Sequence, residues 1–245
     1  MPLLAAQREL RALASPARAR VNAGYFKTGK GAYAEGQKFL GVRNPQMRAL
    51  AREHRDLPLG EVGRMLASEW YEDRALALLV LGEQVRRADE TGRRRIAAFY
   101  LRNLDRVDNW ALVDLSAPYV LGPYLERRSR AILDRLAGSR NLWRRRVAMV
   151  TTQHFIRRGE TGDALRIARL LLDDEHDLIH KAVGWMLREV GERTPGDLGA
   201  FLDRHAASMP RTMLRYAIEK LPAATRRRYL DARAKRRVAS ARPKR

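Results

Sequence analysis

Apolar residues recur at three- and four-residue spacing through nearly the whole chain, the mark of amphipathic helices packed on one another. No stretch alternates convincingly with period two, so the pattern predicts an all-α protein without a sheet. Helix punctuation agrees. Asn44-Pro45 reads as an N-cap followed by proline at the first helical position, and Thr194-Pro195 repeats the arrangement. Asn141 stands in the same way before LWRRRVAMVTTQHFIRR, while Gly159 and Gly191 fall where helices are expected to stop. The opening MPLLAAQRELRALAS carries Arg8, Glu9 and Arg11 among its apolar residues and reads as an amphipathic helix, not a secretory signal. Residues 24–45, GYFKTGKGAYAEGQKFLGVRNP, break the pattern. Their five glycines point to tight turns or close backbone approach, between a short helix and the helix at Pro45.

Segments of one kind return along the chain: YEDRALALLVLG (71–82), DNWALVDLSA (108–117), LWRRRVAMVTT (142–152), HKAVGWMLREV (180–190) and RTMLRYAIEKL (211–221). Trp110 to Arg146 is 36 residues, Arg146 to Ala182 another 36, and Ala182 to Leu214 is 32. Each interval holds two helices and two turns. A helix pair cannot bury its apolar face alone, so such units stack, and the expected architecture is a curved solenoid of HEAT-like helical repeats. Equivalent helices then line one concave surface, on which Arg74, Trp110, Asp114, Arg146, Trp185 and Arg215 are expected to converge. A globular bundle with accidental periodicity is the alternative. Trp70 and Trp143 read as core.

Composition narrows the chemistry. The 245 residues need no staples, and no cysteine is present for a disulfide, a thiolate metal site or a thiol nucleophile. No apolar run approaches the roughly 20 residues of a membrane span, so a cytoplasmic protein without a membrane partner is expected. Lys and Arg number 49 against 28 Asp and Glu. Residues 226–245 hold ten of those cations and one acid, Asp231, so +9 of the +21 net charge sits in that stretch and +12 stays on the body. A body this basic has the electrostatic footprint of a phosphate-backbone binder, against the blander reading of solvated arginine-rich helix faces. The sequence sets one repeat domain over 1–225 and a mobile basic tail over 226–245.

The stretch Asn109-Trp110-Ala111-Leu112-Val113-Asp114 then stands out. On a helix, Trp110 and Asp114 share a face. An indole beside a carboxylate, on a surface that gathers polyanions, points to chemistry on a nucleic acid at a centre that becomes cationic. Two structural readings compete: Asp114 paired with Arg146 as a bridge between repeats, and Trp110 and Trp185 as ordinary core. Metal chemistry has little support. His176 and His180 are four apart beside Asp173-Asp174-Glu175, but HExxH is absent and an acid-rich helix start explains the run. GKG lacks the rest of a phosphate loop, and no dinucleotide fingerprint or serine elbow is present. No cofactor is expected.

Six segments, in order and sensibly spaced over nearly the whole chain, resemble the AlkD-like DNA alkylation repair glycosylases: YFKTGKGAYAEGQKFLGVRNPQMRAL (25–50), WYEDRALALLVL (70–81), VDNWALVDLSAP (107–118), NLWRRRVAMV (141–150), HKAVGWMLREVG (180–191) and MPRTMLRYAIEKL (209–221). The resemblance implies excision of positively charged N-alkylated purines, of the 3-methyladenine and 7-methylguanine type, from duplex DNA in base excision repair. It implies a monomer acting by carboxylate-assisted hydrolysis of the N-glycosidic bond, with the sugar and backbone contacted and no base-reading pocket. By the same resemblance Asp114 is the catalytic carboxylate, Trp110 and Trp185 are aromatic walls, Tyr25 is a third aromatic position, and Arg146 is a basic site residue. Arg144 and Arg145 beside it are expected in solvent. Lys27, Lys30, Lys38, Arg43 and Arg215 are candidate backbone contacts. The sequence departs from the family pattern at Ala111, where NWDLVD has an aspartate, and at Gln37, where a carboxylate is frequent.

Two rivals keep parts of this picture. A non-catalytic helical-repeat protein recognising damaged or branched DNA would retain the basic surface without depending on Asp114. A protein-interaction scaffold would not need so basic a concave face. For the tail, removal of 226–245 is expected to weaken DNA binding and leave single-turnover base release at saturating enzyme nearly unchanged. A large loss of that chemistry would assign the tail to the site.

Overall fold

The computed structural model describes residues 2–241, with side chains through Ala232. The expected mobile arm therefore lies, from residue 233 onward, outside the described side chains. Apart from an isolated parallel bridge between Lys38 and Trp70, every regular element among the described residues is helical. None of these helices is long and apolar enough to cross a membrane. The chain divides into two compact units, Met1–Tyr124 and Leu125–Arg245, where the sequence reading set one repeat domain.

The first unit holds α1 (Pro2–Ala12), α2 (Pro16–Tyr25), α3 (Asn44–Glu53), α4 (Leu59–Leu66), α5 (Tyr71–Arg87), α6 (Glu90–Arg102), a 3-10 turn at Leu104–Arg106, and α7 (Trp110–Leu125), which ends at the unit boundary. Its centre is α5. Residues from Tyr71 to Leu81 are buried all round the helix, because α1, α3, α4 and α6 pack against it. The second unit holds α8 (Ala131–Ala137), α9 (Leu142–Thr151), α10 (Gln153–Ile156), α11 (Gly162–Leu170), α12 (Asp177–Arg193), α13 (Pro195–His205), α14 (Arg211–Ala217) and α15 (Ala223–Ala241). Here α12 is central and meets α9, α11, α13 and α14. The recurring segments of the sequence thus fall on α5, α7, α9, α12 and α14.

Of the helix ends expected from the sequence, Asn141 caps as predicted, Thr194 takes the N-cap position without a side-chain bond, and Asn44 and Gly191 lie elsewhere. Asn141 Oδ1 accepts the N–H groups of Trp143 and Arg144 at 2.8 and 3.2 Å, as its position predicts. Asn44, expected as an N-cap, is already helical. Arg43 takes the cap position, and its N–H donates to the Gln46 side chain at 3.1 Å. Gly191 does not stop its helix, which continues to Arg193. A Cβ there would lie 2.3 Å from Leu198 Cδ2, so a side chain at 191 would require Leu198 to move. Trp70 and Trp143, expected in the core, are half-buried.

A buried carboxylate anchors the end of the irregular stretch 26–43. Glu72, fully buried on α5, accepts the N–H groups of Leu40 and Gly41, each at 2.8 Å. Burial pushes its pKa up, and those backbone bonds pull it back by favouring the charged form. Gly41 itself lies at φ +81°, and a Cβ on it would meet the Ser15 carbonyl at 2.3 Å, so α2 and the loop approach only across a glycine. At the other end of the chain, Tyr229 is buried and its hydroxyl donates to Asp203 at 2.8 Å. A deletion starting at residue 226 removes this packing residue, and a cut after Ala232 spares it.

Helices α12 and α14 touch backbone to side chain at Gly184. A Cβ there would lie 2.4 Å from Tyr216 Cβ and 2.6 Å from the Met213 carbonyl. Gly184→Ala is expected to cost about 1–3 kcal/mol of stability through overpacking, measured as a lower midpoint in urea unfolding. An unchanged midpoint would mean the two helices separate freely.

Candidate functional site

Trp110 opens α7, and the start of that helix is fixed by a polar knot. Asn109 is fully buried and its Oδ1 accepts the Ala111 N–H at 2.9 Å, capping the helix. The Asn109 amide donates to Gln37 Oε1 at 2.8 Å. Gln37 Nε2 in turn donates to the carbonyl and to the carboxylate of Asp108, both at 3.2 Å. Arg74, buried on α5, closes the knot with a 2.6 Å bond to the same Asp108 oxygen. Arg74 was expected on an open concave surface. The structure commits it instead to this ion pair, at 6% exposure.

Gln37, one of the two departures from the family pattern, therefore has a physical role. Its amide serves as donor toward Asp108 and as acceptor toward Asn109, which a carboxylate at that position could not do.

The indole of Trp110 sits in an aromatic cluster. Phe26 stacks on it at 5.2 Å and 26°, and Tyr25 meets it edge-on at 5.8 Å and 70°. Phe39 and Tyr71 continue the cluster behind Phe26. Trp110 Nε1 donates to the Tyr33 hydroxyl at 3.0 Å. Trp110 is half-buried while Tyr25 is 66% exposed, so the cluster reaches the surface at Tyr25. The structure thus brings Tyr25 and Trp110 together.

Asp114 follows one turn along α7 and is half-buried. Its charge is felt by two buried phenols. Burial, with Glu72 and Asp114 adding to it, raises the pKa of Tyr71. Tyr100, fully buried and bonded to Ser116, is raised mainly by burial and further by Asp114. Both phenols stay protonated beside the carboxylate.

Around this cluster, Lys27 and Arg43 are exposed. Lys27 holds a left-handed backbone at φ 54°, uncommon for a residue with a Cβ. In the second unit, Arg215 is exposed on α14. Arg146 is 5% exposed on α9 and its Nη1 donates to the Leu178 carbonyl at 2.6 Å, tying α9 to the first turn of α12. Arg145, expected in solvent, bonds Asp174 at 2.6 Å and the carbonyls of Ser139 and Arg140. Trp185, on α12, is half-buried, and its Nε1 donates to Glu189 Oε1 at 3.0 Å.

Of the groups that could ligate a metal, His176 caps α12 through Nδ1, which accepts the Leu178 N–H at 3.1 Å, and His180 contacts the Asp174 carbonyl. Glu9, Glu53 and His54 bring three ligand-type atoms within 4.8 Å, with His54 Nε2 already 2.7 Å from Glu9.

Sequence reasoning missed Tyr33, Phe26, Asp108 and Glu189. Only Glu189 had a signal, its four-residue spacing from Trp185, which matches that of Asp114 from Trp110.

The sequence profile of the DNA alkylation repair enzymes matches residues 6–221. The chain belongs to that family. None of the curated proteins matches the chain significantly. Among solved structures, this family member is similar to a predicted DNA alkylation repair enzyme from Enterococcus faecalis, at 18% identity and a TM-score of 0.65, covering 86% of this chain and 97% of that one. AlkD2 from Streptococcus mutans gives 16% identity and a TM-score of 0.52 over 78% of this chain and 88% of that chain. The protein smu.31 from Streptococcus mutans UA159 gives 16% and 0.52 over 78% and 91%. At these identities the likeness is one of fold.

The knot predicts a specific weakness. Gln37→Glu keeps the side-chain length but turns the Nε2 donor into an acceptor facing Asp108. A loss of about 1–3 kcal/mol is expected in chemical unfolding, smaller when Asp108→Asn is added. Full additivity of the two substitutions would show that the contact carries no coupling.

Proposed function

We propose that this DNA alkylation repair family member is a monofunctional alkylpurine DNA glycosylase, releasing cationic 3- or 7-alkylated purines from duplex DNA. The observation that carries the reading is the pairing of Trp110 and Asp114 on one face of α7. The start of that helix is locked by Gln37, Asp108, Asn109 and Arg74. A catalytic carboxylate must be held in place before the transition state forms, and this one rides on a fixed helix rather than a loop.

An alkylated purine of this type already carries positive charge. As the C1′–N bond breaks, its electron pair goes to the base, which leaves neutral, so no acid is needed to protonate it. The charge passes to the sugar as an oxocarbenium ion, which Asp114 stabilises electrostatically. A water then adds to C1′. Its proton goes to Asp114 and on to solvent, leaving an abasic sugar. The aromatic cluster around Trp110 favours the cationic nucleotide, its indole face by roughly 0.5–2 kcal/mol. Exposed Tyr25 lies at the edge of this group, where a nucleotide or its phosphate would meet it. Lys27, Arg43 and Arg215 are free-facing cations suited to backbone phosphates, and the net charge of +21 supports DNA as the partner. Arg146, already bonded to Leu178, would act from a buried position.

Single-turnover release of 7-methylguanine from methylated duplex DNA, at saturating enzyme, tests this. Wild type is expected to release the base, and Asp114→Asn to lose at least about a hundredfold in rate while still binding DNA. Tight binding without release by either protein would replace this reading with a non-catalytic recogniser of damaged or branched DNA.

A further inference from the structure

Helix α2 buries none of its side chains, yet its place is fixed. Pro16 opens it, the Ser15 hydroxyl accepts the Arg18 N–H at 3.4 Å, and the Ser15 N–H donates to the Leu40 carbonyl at 2.8 Å. Its inner edge, at Ser15 and Ala19, lies against the backbone of Gly41. The opposite face is open. Val21 and Tyr25, one turn apart, are 69% and 66% exposed. Arg18 precedes Val21 by three residues on the same stripe, and Ala17, Arg20 and Gly24, all exposed, border it. From Leu10 to Ala34 the chain has five cations and no acid. Arg11 is paired with Asp73, and the other four, Arg18, Arg20, Lys27 and Lys30, form no ion pair among the described residues. The acids that flank the stretch are engaged: Glu9 meets His54 at 2.7 Å, and Glu35 accepts the Gly31 N–H at 2.8 Å. Elsewhere in the same unit, Lys38, Arg64 and Arg86 meet Glu69, Glu61 and Glu83.

We propose that the outer face of α2, with the loop that follows it, is a docking surface for undamaged duplex DNA beside the lesion. Arg18, Arg20, Lys27 and Lys30 meet phosphates, and Val21 and Tyr25 lie against the sugars between them. The inference rests only on DNA being the partner, as proposed above, and adds a contact that does not depend on the lesion. Charge supports the choice of partner. Four cations without a matching acid are left for an external polyanion, and each phosphate they meet releases counterions. Size supports it as well. Ala17 and Gly24 let a sugar-phosphate backbone come close, while two large apolar side chains are too few to seat a membrane or the core of a protein interface. Continuity is the third argument. Tyr25 meets Trp110 edge-on at 5.8 Å, so this face runs into the α7 site inside a single unit. A helix held by its backbone on one side presents these groups in a fixed register, and phosphate contacts of that kind position a duplex without reading its bases.

The test measures dissociation constants for undamaged duplex between about 50 and 200 mM salt. The variant Arg18→Gln/Arg20→Gln/Lys27→Gln/Lys30→Gln is compared with Arg52→Gln/Arg55→Gln/Arg94→Gln/Arg95→Gln, which removes as many exposed cations from another part of the same unit. Urea midpoints check that both fold. The α2 variant is expected to reduce the slope of log affinity against log salt by roughly 3–4, and to bind at least about tenfold more weakly at the lower salt. The comparison variant is expected to change the slope by less than about 1. Val21→Ser is expected to weaken binding roughly twofold to fivefold at every salt concentration with no change of slope. Equal slope losses in the two four-site variants would reduce the face to diffuse charge and overturn the inference. A wild-type slope in the α2 variant would overturn it too, and loss of that variant's binding to vesicles of equimolar phosphatidylserine and phosphatidylcholine would then assign the face to a membrane surface. Release of 7-methylguanine by wild type is scored separately. Release together with an unchanged α2 slope defeats the docking surface alone. No release together with the expected slope loss leaves the docking surface standing and defeats the glycosylase reading.

Discussion

The first turn of α7 is the constraint on which the candidate site depends. A helix that begins with the candidate indole has no preceding turn to steady it. Its first N–H groups must find partners outside the helix. Here Asn109 caps the turn, Gln37 holds Asn109, and Asp108 ties Gln37 to Arg74 on α5. Each link is a buried or half-buried polar group, so losing one would leave others unsatisfied at greater cost than the bond itself is worth. The direction of Trp110, and of Asp114 one turn later, follows from that closed chain of bonds.

A protein that binds a polyanion and stabilises a cation faces opposite electrostatic demands. Depth separates them in the first unit. Lys27 and Arg43 are exposed, where water screens them from one another. The carboxylates lie deeper: Glu72 and Asp73 fully buried, Asp114 half-buried. Each of the first two is compensated locally. Glu72 is met by backbone N–H groups, and Asp73 by a two-point contact from Arg11 and a bond from Ser68. Asp114 is close enough to the protonated phenols of Tyr71 and Tyr100 to raise their pKa values further. Under the proposed glycosylase reading, exposed cations over deeper carboxylates suit a partner that offers phosphates outside and a cationic base inside.

The fold persists across solved relatives at 16–18% identity. Stacked helices tolerate such divergence, because what they require is an apolar stripe of the right period and a few positions without a side chain. Gly184 and Gly191 are two of those positions, one facing α14 and the other facing Leu198. The departure at Gln37 belongs to a different class. It is compensated by direct partners, and the polar knot is built from the amide this chain has.

By itself the sequence determined the helices, because their period, the Asn141 cap and the recurring segments are local properties of adjacent residues. It also placed Trp110 with Asp114 on one face, since a four-residue spacing fixes that on any helix, and it drew attention to Tyr25. Only the tertiary structure decided which cations are buried. Arg74 and Arg146 read like Arg215 along the chain, yet long-range partners, Asp108 and the Leu178 carbonyl, draw them inside. It decided that α12 runs past Gly191 to Arg193, where the local signal pointed to a stop. It also decided the roles of Tyr33, Phe26 and Gln37. Those residues lie in the one irregular stretch, where no period constrains the backbone. Their partners, 71–84 residues away along the chain, are brought to them only by the tertiary fold.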